Sequence, residues 1–153
     1  MTTLCCEVLN ALAGKTLATA ESCTGGMIGA ALTAVPGASR VYKGGVVSYW
    51  SEVKEKLLGV SGEDLENLGP VSMQVAGSMA QGARKLLKTD VAVSVTGLAG
   101  PDGDEFGRPV GTVFVGFDNG ARTVVRQYRF GGDRDSVRRQ AAEAALKLIL
   151  ENV

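Results

Sequence analysis

The chain contains no histidine among its 153 residues. That absence removes the Ser-His-Asp triad, the Cys-His pair and every imidazole-based zinc site together. Any hydrolytic chemistry must therefore take its base from lysine, tyrosine or a carboxylate. Cysteine is scarce too: Cys5, Cys6 and Cys23 are odd in number and show no paired spacing. They make neither a disulfide framework nor a metal site, and they fit a reducing, cytoplasmic compartment. Net charge is absent, since 16 basic and 16 acidic residues cancel without a long like-charge run. Such a surface asks for neither nucleic acid nor an anionic membrane as partner. No apolar run approaches the about 18 residues of a membrane span. Met1 to Gly14 carries Glu7 but none of the Lys or Arg that opens a signal peptide. Gly-x-x-x-x-Gly-Lys-Ser/Thr and Gly-x-Gly-x-x-Gly are both missing, which takes support from ATPase and dinucleotide readings. The expectation is one soluble cytoplasmic domain spanning residues 1–153, large enough to bury a core without staples.

What is present centres on Thr16 to Thr33. Leu17, Ala18 and Ala20 read as a short buried strand, Ser22-Cys23-Thr24-Gly25-Gly26 as a turn, and Met27-Ile28 as the start of a helix. A strand entering a helix through such a turn gathers unpaired N–H groups at the positive end of the helix dipole. That suits a phosphate or a reaction oxyanion, with the Ser22 hydroxyl placed to attack what is held there. The same residues would also serve as an ordinary helix cap. The Cys23 thiol, beside an apolar helix start, reads as packing.

Elsewhere the spacing predicts a helix over Thr3–Ala13, stopped by Gly14, and an end to the second helix before Pro36-Gly37. A strand is expected over Gly45–Trp50, then a helix capped by Ser51 and closed by Gly59, a small helix over Glu63–Asn67, and a longer one opened by Ser72 and running through Leu87. Asp90–Val95 reads as a buried strand emptying into a glycine-rich loop, Thr96–Gly107. Loops of that length inside compact domains are often functional. Val110–Asp118 and Ala121–Phe130 read as strands joined at Asn119-Gly120, a strong hairpin signal, and a last helix follows Gly131-Gly132-Asp133. The alternation argues an α/β fold with a mixed sheet, containing one antiparallel hairpin, covered by helices on both faces. An exposed edge at Ala121–Phe130 would permit a homo-oligomer by strand pairing.

Reactive or glycine-rich sequence follows three expected strands: at Glu21–Gly25, at Tyr49 to Lys54, and at Thr96 to Gly103. Ligands of open α/β sheets sit at the carboxyl ends of strands. Lys54 falls near the start of its helix, where the charged form of a lysine is disfavoured. Ser22 with Lys54 and Tyr49 is then a chemically sufficient set: serine attacks, and lysine or tyrosine takes the proton.

Taken together, Thr19-Ala-Glu-Ser-Cys-Thr-Gly-Gly26, Pro36-Gly-Ala-Ser39, Gly44-Gly-Val-Val-Ser-Tyr49, Lys54 with Leu57-Leu-Gly-Val60, Thr96-Gly-Leu-Ala-Gly-Pro101, Arg108-Pro-Val-Gly-Thr-Val113 and Gly132-Asp-Arg134 resemble the CinA C-terminal domain, the PncC-type nicotinamide-nucleotide amidohydrolases. The resemblance runs over nearly the whole chain. It implies a three-layer α/β/α sandwich and cleavage of the nicotinamide mononucleotide carboxamide to nicotinic acid mononucleotide and ammonia, with no metal or cofactor. The matching catalytic positions are Ser22, Tyr49 and Lys54. The chain departs from the family's commonest pattern at Trp50-Ser51, where a small residue and Asn are usual. Lacking the larger N-terminal domain of fused members, it looks like the stand-alone form. On this reading the turn N–H groups of Cys23, Thr24, Gly25 and Gly26 meet the reacting group. The loop at Thr96, Gly97, Ala99 and Gly100 grips the phosphate, together with Arg134 or Arg138. The alternative is a nucleotide- or partner-binding module of the same fold without activity.

Overall fold

The computed structural model describes all residues, 1–153. Chain order is α1 (Thr2–Ala11), β1 (Leu17–Glu21), α2 (Met27–Thr33), a 3-10 turn (Ala38–Arg40), β2 (Tyr42–Val47), α3 (Ser51–Leu58), α4 (Gly62–Leu68), α5 (Met73–Leu87), β3 (Val91–Gly97), β4 (Thr112–Asp118), β5 (Thr123–Arg129) and α6 (Arg134–Asn152). The strands form one five-stranded sheet in the order β2-β1-β3-β4-β5. β1 runs parallel to both its neighbours, while β3–β4 and β4–β5 are antiparallel. This is the mixed α/β sheet with one hairpin that the alternation of elements predicts, and β5 is an edge strand.

Each strand face selects its own layer. Leu17, Val91, Val93, Val95, Val113, Val115 and Phe117 pack with Val8 of α1, Ile28 and Leu32 of α2, and Val137, Leu148 and Ile149 of α6. The opposite face is built from small residues, Ala18, Ala20 and Ala92, against Leu58, Val60, Leu65, Val75, Met79 and Ala83 of the α3–α5 segment. Small residues let α5 come close. The Ser94 hydroxyl donates to the Ala76 carbonyl at 2.6 Å, and a methyl on Gly116 would stand 2.6 Å from that same carbonyl oxygen. A side chain there would push the helix off the sheet. β1 is buried at all five positions because it has strands on both sides and helices on both faces.

The register fixes where the site lies. Glu21 pairs with both Val47 and Val95, so β1 and β2 finish at one level and β3 runs two residues beyond it. The chain leaves β1 for β2 on one side, then crosses to β3 on the other, and this reversal of direction opens a crevice at the strand ends.

Most element ends differ from the sequence expectation by one or two residues, α1 closing at Ala11 and β4 opening at Thr112, and four differences have a plain physical cause. β2 covers Tyr42–Val47, not Gly45–Trp50. Its pairing ends where the Ser48 N–H donates to the Glu21 carbonyl; beyond it, the Ser48 and Tyr49 carbonyls turn towards Lys54. Ser51 is the first helical residue of α3 and not its cap; Trp50 holds the cap position without a side-chain bond. β3 continues through Gly97 because antiparallel β4 pairs with Thr96 and Gly97. The hairpin connection is wider than Asn119-Gly120: Asp118 pairs with Thr123, and Asn119 Oδ1 accepts the Ala121 and Arg122 N–H groups between them. The long loop before β4 is pinned from within, since the Asp104 carboxylate accepts the N–H groups of Phe106 and Arg108.

Candidate active site

Ser22 follows β1 directly, and its N–H donates to the Val95 carbonyl of β3, which fixes its place at the crevice. Lys54, on the first turn of α3, is only 1% exposed. Its Nζ lies 2.9 Å from Ser22 Oγ, 2.6 Å from the Ser48 carbonyl oxygen and 3.2 Å from the Tyr49 carbonyl oxygen. Burial lowers the Lys54 pKa from 10.5 to about 8, and a Cys23 thiolate would push it back up. That thiolate does not form near neutrality, because burial raises the Cys23 pKa to about 11 despite the cations of Lys54 and Arg138 beside it. Cys23 is thus a buried neutral thiol, as the packing reading expects.

The two carbonyls decide what the amine does. They can only accept, so in a neutral amine they take both N–H bonds. The lone pair then has one remaining partner, the Ser22 hydroxyl, which can donate its proton along the 2.9 Å line.

Ser22, Cys23, Tyr49, Lys54, Leu98 and Arg134 are among the residues lining an open cavity of about 280 Å³. Thr96, Gly97, Ala99 and Gly100 complete one wall. The Tyr49 ring is half exposed; its hydroxyl is bonded to neither Ser22 nor Lys54 and stands 3.4 Å from Arg134 Nη2. Arg134 also donates to the Gly100 carbonyl at 2.6 Å, which ties the start of α6 to the β3 loop. The Thr96 hydroxyl is spent on the Pro70 carbonyl at 2.7 Å, so on this wall it is the Ala99 and Gly100 N–H groups that lack a protein partner. Trp50 and Ser51 do not line the cavity, and Trp50 is 70% exposed.

The α2 turn differs from the expectation: of the residues after Ser22 only Cys23 lines the cavity, and Thr24, Gly25 and Gly26 do not. Its first helical N–H groups are already occupied: the buried Glu21 carboxylate accepts Ile28 N–H at 2.9 Å, Gly29 N–H at 3.0 Å and the Thr24 hydroxyl at 2.7 Å. An internal anion sits where a bound anion was expected, because a carboxylate one residue before the turn reaches the helix end more readily than a ligand. Gly25 N–H is also used, donating to the Ser22 carbonyl. The N–H groups of Cys23, Thr24 and Gly26 donate to no other residue. Arg138 does not face the cavity as a free cation; it donates to the Cys23 carbonyl at 2.9 Å and the Thr24 carbonyl at 3.2 Å.

Sequence reasoning missed these roles of Glu21 and Arg138, the two carbonyl acceptors, and Pro70, Val71 and Asp102 on the cavity wall. For Glu21 a signal existed: an acid between an apolar strand and a glycine turn has no solvent to enter and needs donors. The Ser48 hydroxyl is buried with no hydrogen-bond partner.

Comparison with known proteins shows the family and the fold. The chain is 46% identical over 133 residues to a CinA-like protein of Thermotoga neapolitana, covering 87% of this chain and 32% of that one. It is 48% identical over 133 residues to a CinA-like protein of Geobacter sulfurreducens, again with 87% and 32% covered. The chain thus spans about a third of the length of these relatives. Among solved structures, the competence damage-inducible protein A of Klebsiella pneumoniae superposes with a TM-score of 0.96 at 37% identity, covering 99% of this chain and 95% of that one. A CinA superfamily protein of Escherichia coli gives 0.92 at 34% identity, covering 99% and 87%. The sequence model of the CinA C-terminal domain matches residues 2–153, and the chain belongs to that family.

Proposed function

We propose that the protein is an amidohydrolase that converts nicotinamide mononucleotide and water to nicotinic acid mononucleotide and ammonia. The observation that carries the chemistry is the Ser22–Lys54 contact at 2.9 Å with both amine N–H bonds committed to carbonyls. The choice of substrate comes from the blocks that resemble the nicotinamide-nucleotide amidohydrolases, and the unpartnered Ala99 and Gly100 N–H groups with Arg134 supply donors for a phosphate.

In the first half-reaction the Ser22 proton passes to Lys54 as Oγ bonds to the amide carbon, and the carbonyl oxygen becomes an oxyanion. Lys54 returns that proton to the amide nitrogen, the C–N bond breaks, and ammonia leaves an acyl-Ser22 ester. Water then attacks the ester, giving its proton to Lys54, and Ser22 recovers a proton as nicotinic acid mononucleotide departs. Tyr49, with its phenol against Arg134, stands on the cavity wall to relay a proton to the leaving nitrogen or to hold the substrate. The three free cysteines accord with a cytoplasmic protein.

Ammonia release from nicotinamide mononucleotide should be measured on the parent and on Ser22→Ala, with nicotinamide riboside as the second substrate. The parent should prefer the phosphorylated substrate, and Ser22→Ala should show no turnover above background. Release by Ser22→Ala at near the parent rate would refute the nucleophile. Equal specificity constants for the two substrates would refute the phosphate grip. Calorimetric binding without ammonia would favour the inactive-module alternative.

A further inference from the structure

We infer that Arg138 is a positioning residue whose guanidinium, by holding the Cys23 and Thr24 carbonyls, aims the main-chain N–H groups of this turn at the oxyanion formed over Ser22. The inference rests on the hydrolase reading above and deepens it.

In a trans peptide the C=O and N–H point in opposite directions. Arg138 Nε draws the Cys23 carbonyl towards α6 at 2.9 Å, so the Thr24 N–H in the same peptide plane points away from α6. The Ser22 carbonyl accepts Gly25 N–H at 3.0 Å, so the Cys23 N–H is turned away from Gly25. Thr24 N–H has no acceptor anywhere in the protein, although Thr24 is fully buried. Cys23 N–H meets only its own thiol, a weak acceptor. Buried N–H groups left unpaired are rare and costly, and these two belong to the residues that follow the nucleophile. Two donors adjoining an attacking hydroxyl make the arrangement that stabilises a tetrahedral oxyanion.

The turn is held from both sides. The Glu21 carboxylate binds the Thr24 hydroxyl and the α2 N–H groups, and Arg138 binds the carbonyls from 114 and 115 residues away in the chain. Without the guanidinium the Cys23 carbonyl loses its donor, and the Thr24 N–H in the same peptide plane loses the contact that sets its direction. Neighbouring Arg139 serves as the control. It is exposed and paired only with Asp135 at 3.2 Å.

The test compares Arg138→Met, Arg138→Lys and Arg139→Met with the parent. Two substrates are used: nicotinamide mononucleotide, read as ammonia, and p-nitrophenyl acetate, read as the nitrophenolate burst that Ser22→Ala lacks. Arg138→Met should lower kcat by about 10²-fold with KM little changed, as for loss of an oxyanion donor. Arg138→Lys, which keeps the charge and can satisfy one carbonyl at a time, should recover part of the rate. Arg139→Met should match the parent. A kcat within about threefold of the parent in Arg138→Met, well short of an oxyanion donor's worth, would overturn the inference. So would a raised KM at unchanged kcat, which would make Arg138 a phosphate ligand instead. If the parent releases no ammonia, the substrate assignment fails while the burst still reads the turn. A burst as large and fast in Arg138→Met as in the parent then refutes the positioning role, as does the absence of any Ser22-dependent burst. If Arg138→Met does not fold, Arg138→Lys decides: parent-like rates overturn the inference.

Discussion

Replacing Lys54 by methionine should end the chemistry at little cost in stability near neutral pH. The side chain is 1% exposed, and burial carries its pKa from 10.5 to about 8. At about 1.4 kcal/mol per pH unit, holding the ammonium in the fold at neutral pH costs about 3 kcal/mol. Against this, the amine is bonded to Ser22 Oγ and to the Ser48 and Tyr49 carbonyls, each bond contributing about 1 kcal/mol that methionine forfeits. The two nearly cancel, so Lys54→Met should match the stability of the parent at pH 7 to within about 1 kcal/mol. The sign with pH follows from linkage. The folded state binds this proton less tightly than the unfolded state, so between about pH 8 and 10.5 the unfolded chain holds more protons. Stability of the parent relative to the variant therefore rises through that window, whereas below about pH 8 the full cost of the buried charge is present. Urea unfolding of both proteins at pH 7 and at pH 10 measures this directly. The two should unfold alike at pH 7, and the parent should lead at pH 10. A difference between the two proteins that is the same at both pH values would refute the claim that burial depresses this amine.

Two further outcomes follow from the same geometry. The kcat/KM for nicotinamide mononucleotide should rise with pH on a limb near 8 and level above it, because the neutral amine is the active form; Lys54→Arg, which holds its proton throughout, should be inactive at every pH, and a limb centred below pH 6 would assign the base elsewhere. Glu21→Gln removes the charge that three donors share and should destabilise the fold by about 2–3 kcal/mol in urea unfolding, whereas a change under about 0.5 kcal/mol, the range of an ordinary surface substitution, would show that the α2 terminus does not need the anion.

Periodicity and breaker residues located each helix and strand, because those signals depend on local spacing and the core follows it. The Val91 to Val95 run is buried as its continuous apolar character predicts. Boundaries failed where a distant partner decides them. Gly97 is a poor strand residue taken singly, yet it pairs because β4 lies beside it. Ser51 is a good cap residue, yet it is passed over because Trp50 is extended and the helix begins after it. Ser22 and Lys54 were visible as residue types near expected strand ends, and the aligned register of β1, β2 and β3 brings them into contact. What the spacing could not show were main-chain roles. The acceptors of Lys54 are the carbonyls of Ser48 and Tyr49, and a carbonyl is the same at every position. Arg138 was visible as a charge but not as a clamp, since its partners lie over a hundred residues away on the α2 turn.

On the proposed reading, a serine hydrolase without imidazole faces two separate problems, and the geometry at Lys54 would meet them by separate means. A lysine in water is protonated at neutral pH and has no lone pair to offer. Burial at the base of the crevice lowers that proton affinity to about 8, which leaves an appreciable neutral fraction near pH 7. A neutral amine still rotates about its last bond, and its lone pair has no preferred direction. The Ser48 and Tyr49 carbonyls, at 2.6 and 3.2 Å, supply that direction by occupying both N–H bonds. Burial without the carbonyls would give a base with no aim; the carbonyls without burial would bind an ammonium tightly and raise its pKa. Both conditions hold at Lys54 because β2 ends at Val47. Had the strand run on to Trp50, as its sequence suggests, those two carbonyls would have been committed to the sheet or to solvent, and Ser22 would face a cation.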